Sequence, residues 1–219
     1  MANFKLPYYK EYIDFNIADE RVAGVLVSKV EEYVPTNTES GLVEEALNNP
    51  IGSKSLTELA EGKKHIVIIS SDHTRPVPSH VTMPILLRHI RENNKDVKIT
   101  ILIATGMHRP TTHEELVAKY GKKIVEEENI VIHDAYKDSD MTFKGILPSG
   151  GELWVNKLVD ECDLLISEGF IEPHFFAGFS GGRKSVLPGI ASKKTVLWNH
   201  NARFIANKNS RAGSIDENP

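Results

Sequence analysis

The chain has few of the features that would assign it to a specialised class of protein. Its 219 residues include one cysteine, Cys162, which excludes an internal disulfide framework and favours a reducing compartment. No apolar run approaches the roughly 20 residues of a membrane span, and the opening MANFKLPYYKEYIDF lacks the apolar core of a signal peptide. The formal net charge of -4, without a basic stripe, gives no reason to expect nucleic acid. We therefore expect a cytoplasmic protein that binds neither membranes nor nucleic acid.

What the chain does have is a regular alternation of strand-like and helix-like segments. Short runs rich in β-branched residues predict strands at 66–69, 99–103, 130–132 and 164–166. Helical periodicity and capping signals predict helices at 42–47, 55–60, 80–91, 116–124 and 155–161. Thr111 and Glu114 are expected to form a capping box. This alternation predicts an α/β fold with a Rossmann-like, mostly parallel sheet and helices on both faces. A small strand and helix segment precedes it, with strand candidates at 13–16 and 25–27.

The most informative segment is IEPHFFAGFSGGRKSVLPG, residues 171–189. His174 stands ahead of a glycine-rich turn, whose backbone can approach a ligand closely because glycine has no Cβ. The guanidinium of Arg183 can hold a phosphate, and Lys184 can act as a point charge or as a nucleophile. The segment predicts a site for a phosphorylated ligand that undergoes proton chemistry. An ordinary surface turn remains the alternative, since the P-loop spacing GxxxxGK[ST] is absent.

Polar residues follow several of the predicted strands. Asp72 with Arg75, then His108, and finally His174 all lie just after a strand, so a parallel sheet would bring them to one edge. Two histidines facing one pocket could serve opposite faces of a substrate, as a racemase or epimerase requires. The alternatives are a hydrogen-bonded loop residue for His108 and a packed ring for His174. Five further histidines are expected to be exposed and without a role: His65, His80, His89, His113 and His133.

A lone histidine in the segment WNHN, His200, is by its residue type usually structural. Metal sites with histidine and no cysteine normally need two or more protein ligands at matched spacing. Neither HExxH nor HxH occurs in the chain. If His200 binds a metal, most of the other donors must come from a cofactor that carries its own soft ligands.

Four motifs in this order, SSDHTRP, ATGMHRPTT, EPHFFAGFSGGRKSVLPGI and WNHN, resemble the amino-terminal domain of the nickel-dependent lactate racemase family. The resemblance covers most of the chain. It implies nickel in a nickel-pincer nucleotide, a pyridinium-3,5-bisthiocarboxylic acid mononucleotide derivative, that is covalently attached to Lys184. It also implies that His200 is the protein ligand to nickel and that His108 and His174 are the acid/base pair. The other cofactor-binding residues that it implies are Asp72, Arg75, Gly178, Ser180, Gly181, Gly182 and Arg183.

The implied activity is that of an isomerase which interconverts the enantiomers of a 2-hydroxy acid, with lactate as the first candidate, by reversible hydride transfer. The implied partners are this small substrate, the proteins that make the cofactor, and a second, carboxy-terminal domain that residues 1–219 do not contain. Residues 1–219 are accordingly expected to be the cofactor-binding domain, and whether they turn over substrate alone stays open. A non-catalytic binding or carrier domain for a nickel-pincer or other nucleotide is the alternative. A dehydrogenase fragment is a weaker one, because GxGxxG is absent.

Overall fold

The computed structural model describes residues 1–30 and 32–219, and its chain divides into two compact units, residues 1–38 and 39–219. The first unit contains an antiparallel hairpin of β1 (Ala2–Tyr8) and β2 (Glu11–Ile17). Apolar and polar residues alternate along β2, which confirms the strand expected at 13–16. The strand expected at 25–27 is wrong, because these residues are irregular chain without a ladder partner.

The second unit alternates strands and helices along the chain, as the sequence predicts. Its elements are α1 (Glu39–Asn48), α2 (Leu56–Ala60), β3 (His65–Ser71), α3 (Ser79–Glu92), β4 (Lys98–Ala104), α4 (His113–Tyr120), α5 (Lys122–Glu127), β5 (Asn129–Ile132), β6 (Met141–Ile146), β7 (Glu152–Asn156), β8 (Leu164–Ser167), β9 (Pro173–His174), β10 (Gly178–Phe179), α6 (Lys193–Asn199) and α7 (Ala202–Ile205). No helix among the described residues combines the length and the apolar character needed to cross a bilayer.

A four-stranded parallel sheet in the order β5–β4–β3–β8 forms the centre of this unit. Its two central strands, β3 and β4, are buried on both faces and are therefore mostly apolar. Ile66 and Ile68 pack in a cluster with residues of helices α2 to α5, and Val67 and Ile69 pack on the opposite side with Ile190. On that opposite side the partners come from a 3-10 turn at 157–159 and from the segment around residue 190. The α/β fold class is confirmed.

Two local predictions are wrong. The helix expected at 155–161 is instead the end of strand β7 followed by a single 3-10 turn, Lys157–Val159. Strand β7 pairs with β6 and bridges to Ala191, and these tertiary partners outweigh the local helical pattern. The capping box lies one residue later than expected, between Thr112 and Glu115 at the start of α4.

Three of the five histidines expected to be exposed are buried: His65, His89 and His133. Each ring has a hydrogen-bond partner from elsewhere in the chain, which makes its burial tolerable. In His65 the ring bonds the Thr100 hydroxyl, and in His133 it bonds the Ala191 carbonyl. Their positions on helices or at strand ends predict exposure, but such positions do not report contacts made far along the chain.

The sheet order places the functional edge. Strands β4 and β5 are added on one side of β3, and the later strand β8 is added on its other side, so the strand order reverses at β3. In open α/β sheets a crevice forms beyond the carboxyl ends of the strands at such a reversal. The loops that begin at residues 72, 105 and 168 all leave the sheet at this edge.

Candidate functional site

A cavity of about 320 Å³ lies at the carboxyl ends of β3 and β4. Four segments that are distant in sequence contribute its walls: the loops after these two strands, the region around residues 170–189, and the end of α6. The residues predicted for the site that line this cavity are Asp72, Arg75, His108, His174, Ser180, Gly181, Lys184 and His200. Asp72 is the one carboxylate among the described residues that line it. The structure therefore brings most of the predicted residues together.

Three predicted cofactor-binding residues lie elsewhere. Gly182 and Arg183 line an adjoining depression of about 640 Å³, whose wall also includes Lys184. Gly178 faces neither: it has a φ of +83°, and a Cβ there would lie 2.1 Å from the Ser214 carbonyl oxygen. The glycine at 178 is thus required by backbone packing.

His108 is held by a carboxylate at the end of the neighbouring strand. Its Nδ1 lies 2.6 Å from Oδ2 of Asp72, which is 2% exposed. The other oxygen, Oδ1, accepts hydrogen bonds from the backbone N–H of Thr74 at 3.1 Å and from its hydroxyl at 2.6 Å. Burial of Asp72 by itself raises the pKa of this carboxyl, but the hydrogen bonds from Thr74 and His108 together outweigh burial and lower the pKa. The carboxylate is therefore ionised.

His174 is held by the main chain instead. It lies in β9, which pairs with β10 so that His174 faces Gly178 across a tight turn. The backbone N–H groups of Phe176 and Ala177 donate to Nδ1 of the ring at 3.4 and 3.2 Å. The ring also stacks on Phe175, with centroids 4.9 Å apart. Burial, followed by the charges of Lys184, Arg75 and His200, lowers the pKa of His174 to about 4.

Backbone bonds and one glycine fix the loop that carries Lys184. Ser180 donates its N–H to the Glu172 carbonyl at 2.8 Å and its hydroxyl to the Phe170 carbonyl at 3.0 Å. Gly181 has a φ of +72°, and a Cβ there would lie 2.6 Å from the Phe170 oxygen, so no side chain fits. The chain then enters a single 3-10 turn, Gly182–Ser185.

Lys184 has a lowered pKa because it is half-buried and close to the charge of Arg75. Its Nζ lies 5.8 Å from the centroid of the Phe176 ring, and it forms no ion pair with the described residues. A lysine in such surroundings keeps a larger fraction of neutral, nucleophilic amine than an exposed lysine.

His200 ends helix α6, and its buried Nδ1 has no hydrogen-bond partner. Burial and then the Lys184 charge lower the pKa of this imidazole, so the ring is neutral and can act as a metal ligand. Among the described residues, no group of three or more His, Cys, Asp or Glu side chains could enclose a metal ion. A metal at His200 would need its other donors from a bound molecule, and an orphaned imidazole beside a reactive lysine fits a cofactor that carries its own metal.

Two contributors were not predicted from the sequence. Thr74 orients Asp72, and the turn Phe175–Ala177 supplies the amides that hold His174. The Asp-x-Thr spacing is a local signal for the first, since an aspartate often accepts hydrogen bonds from two residues ahead. No sequence feature indicates the role of the turn Phe175–Ala177, because every residue type except proline supplies the same backbone N–H donor.

The family profile described as "Lactate racemase N-terminal domain" matches residues 8–213. The chain belongs to this family. Within it, the chain is 55% identical over 219 residues to the lactate racemase of Thermoanaerobacterium thermosaccharolyticum and 58% identical over 218 residues to that of Lactiplantibacillus plantarum. Each match covers 100% of this chain and 51% of the relative, so the chain spans about half the length of these curated relatives.

Solved structures agree with the family assignment. The lactate racemase apoprotein of T. thermosaccharolyticum superposes with a TM-score of 0.92, covering 100% of this chain and 51% of that one. A protein from Thermotoga maritima, 26% identical, gives a TM-score of 0.68 over 81% of this chain and 44% of that one. The resemblance to lactate racemases that the four motifs carried is confirmed.

Proposed function

We propose that this chain is the cofactor-binding, amino-terminal domain of an isomerase that interconverts the enantiomers of a 2-hydroxy acid, with lactate as the first candidate. The observation that carries the proposal is the meeting of His108, His174, Lys184 and His200 in one cavity. A chain of the lactate racemase family thus presents two acid/base candidates, a nucleophilic amine and an unpartnered imidazole within reach of one bound molecule.

The cofactor that suits this set is nickel in a pincer nucleotide attached to Lys184. His200 would be the protein ligand to nickel, and Arg75 with the loop at Ser180 and Gly181 would hold the ribose and phosphate. Both oxygens of Asp72 are already engaged, Oδ2 by His108 and Oδ1 by Thr74, so a cofactor contact from Asp72 would have to share one of them. Gly182 and Arg183 would contact the cofactor if it extends into the adjoining depression.

The chemistry supplied by the bound cofactor is reversible acceptance of the hydride from C2 of the hydroxy acid. The protein's task is to move the proton of the adjacent hydroxyl. His108 and His174 line the cavity, and an imidazole can accept a proton from a hydroxyl or donate a hydrogen bond to an oxygen. Loss of a proton and a hydride turns the alcohol into a keto acid, and their return to the opposite face gives the other enantiomer.

The relatives are about twice as long as this chain, and a second domain would complete the substrate pocket and exclude water. We propose this domain, the hydroxy acid and the cofactor-making proteins as partners. The alternative is a domain that binds or carries the cofactor without turnover. This chain alone forms a cavity that is lined by both Lys184 and His200, which favours cofactor binding even without the second domain.

Intact-mass measurement of the 219-residue chain, co-expressed with the cofactor-making enzymes, tests the proposal. We expect a covalent adduct with stoichiometric nickel. Lys184→Arg should remove the adduct, because a guanidinium keeps the charge but not the nucleophilic amine. Lys193→Arg is the matched control, since Lys193 is a cation near Tyr136 outside the cavity. An unmodified Lys184 in the loaded preparation would overturn the cofactor assignment.

Racemisation of lactate in heavy water then separates enzyme from carrier. Hydride transfer should racemise lactate while the hydrogen on C2 stays unexchanged, whereas deprotonation at carbon would introduce deuterium. An adduct without racemisation, even when the second domain is supplied, would favour the carrier.

A further inference from the structure

His108 and His174 both form hydrogen bonds through Nδ1, but this atom faces an acceptor in His108 and donors in His174. In both rings Nδ1 is the nitrogen that the protein engages, and the described residues make no hydrogen bond to either Nε2. What differs is the kind of partner. His108 meets a carboxylate oxygen, and His174 meets two backbone N–H groups.

The partner of His108 can only accept. The Asp72 carboxylate is ionised, buried and already oriented by two donors from Thr74, so the proton in the 2.6 Å contact belongs to Nδ1 of His108. In the neutral ring the Nε2 atom is then unprotonated. His108 therefore offers a lone pair to the cavity.

The partners of His174 can only donate. The amides of Phe176 and Ala177 both point at Nδ1, which must keep its lone pair to accept them. The ring proton of neutral His174 is then on Nε2. Protonating this ring would break both hydrogen bonds, and the nearby cations Lys184 and Arg75 oppose it as well. His174 therefore offers an N–H donor to the cavity.

We propose that Asp72 and the turn Phe175–Ala177 hold the two cavity histidines in opposite tautomers, so that in the resting protein His108 is the proton acceptor and His174 is a neutral hydrogen-bond donor. Asp72 is thereby a positioning residue that acts through His108. This inference deepens the proposed function and rests on it for its chemical meaning. A neutral imidazole that donates to a substrate oxygen is an established electrophile in other enzymes.

The division of roles has a chemical consequence. When the substrate hydroxyl proton moves to Nε2 of His108, the ring becomes an imidazolium paired with the Asp72 carboxylate. The cofactor, when bound, would supply the acceptor for the C2 hydride, so that loss of this hydride together with the hydroxyl proton would leave the keto acid. His174 meanwhile donates a hydrogen bond from Nε2 to a substrate oxygen. The two histidines are accordingly not equivalent bases: His108 accepts the hydroxyl proton, and His174 donates a hydrogen bond.

The test is nitrogen NMR of the 219-residue chain labelled with ¹⁵N-histidine, without cofactor, at neutral pH. Protonated and unprotonated ring nitrogens have widely separated ¹⁵N shifts, and the variants His108→Gln and His174→Gln assign the signals. We expect Nδ1–H for His108 and Nε2–H for His174. The same tautomer in both rings would overturn the proposal.

Asp72→Asn sharpens the test. Thr74 donates twice to Oδ1, so the amide oxygen should remain on that side and the amide NH₂ should turn toward His108. His108 would then have to accept at Nδ1 and should switch to the Nε2–H tautomer, while His174 stays unchanged. Asp163→Asn, outside the cavity, is the matched control and should alter neither ring.

A second variant covers the case in which Asp72→Asn does not fold. Thr74→Val removes one donor but leaves the carboxylate ionised, so the His108 tautomer should be unchanged; a switch in Thr74→Val would count against Asp72 as the controlling group. The readout needs neither cofactor nor turnover. An unmodified Lys184 would therefore refute the proposed function without touching the tautomers, and a wrong tautomer would refute this inference without touching the adduct.

Discussion

The cavity has two walls that are built in different ways. The sheet wall, residues 72–75 and 105–108, follows two buried strands and holds its histidine through an ionised carboxylate. The glycine wall, residues 170–185, holds its histidine through main-chain amides and adds the charge of Lys184. On the proposed function, proton-accepting chemistry would belong to the sheet wall and covalent attachment at Lys184 to the glycine wall, while Arg75 of the sheet wall would share phosphate binding with the glycine wall. The predictions below test whether the two walls separate in this way.

The largest expected effect is a contrast between two variants: His108→Ala should lose racemisation, and His200→Ala should lose nickel. In the loaded protein, His108→Ala should lower racemisation on the order of 10²–10⁴-fold, the usual contribution of a general base, and leave nickel bound. His200→Ala should instead lose nickel while the adduct on Lys184 remains, because the imidazole of His200, whose buried Nδ1 has no hydrogen-bond partner, is the proposed protein ligand. Elemental analysis beside the racemisation assay measures both. Loss of nickel from His108→Ala would move that residue to a ligand role.

A smaller effect is expected from the backbone of the glycine wall. Gly181→Ala should destabilise the chain by about 1–3 kcal/mol, since the added Cβ meets the Phe170 oxygen in a backbone region that favours glycine. It should also weaken adduct formation at Lys184, which follows three residues later. Urea denaturation and intact mass measure the two effects.

Gly182→Ala is the matched control for this substitution. Gly182 also has a positive φ, +53°, but nothing lies within 4 Å of a Cβ built there. Its cost should be confined to the backbone conformation, on the order of 1 kcal/mol. Equal destabilisation by the two variants would show that the close contact at residue 181 contributes nothing.

The two walls also differ in how far the sequence could predict them. Strands β3 and β4 could be recognised from runs such as Ile66–Ile69, because a strand buried on both faces is apolar almost throughout. Strand β8, at the edge of the sheet, gave the shorter run 164–166. Their ends gave the positions of Asp72 and His108. The convergence of the loops could be predicted because parallel strands share one carboxyl edge.

Contacts between residues that are far apart in sequence could not be predicted in the same way. Val155 entered a strand rather than a helix because β6 and Ala191 pair with it, and neither partner is local. The tautomers of His108 and His174 depend on which atoms lie against Nδ1. In one ring that partner is 36 residues away, and in the other it is backbone that any residue type would supply.

The smallest predicted effect concerns the support behind the sheet wall. His133 is 1% exposed, its Nε2 lies 3.0 Å from the Ala191 carbonyl, and its own carbonyl accepts from the Thr105 hydroxyl at 2.6 Å. Burial lowers the pKa of His133 below its ordinary value of 6.5. As the pH falls through 6.5 the unfolded chain takes up a proton that the folded chain resists, so acid should destabilise the fold.

The slope of the unfolding free energy against pH measures this effect. Below pH 6.5, down to the lowered pKa of the folded state, one such group adds at most about 1.4 kcal/mol per pH unit to the slope. Above pH 6.5 it adds no slope, and its full contribution to stability is present. His133→Gln should flatten the slope between pH 6.5 and 5. His174, with its pKa lowered to about 4, adds to the slope in the same direction from the glycine wall. If His174→Gln flattens the slope of the unfolding free energy against pH and His133→Gln does not, the acid sensitivity comes from the glycine wall and not from the support of the sheet wall.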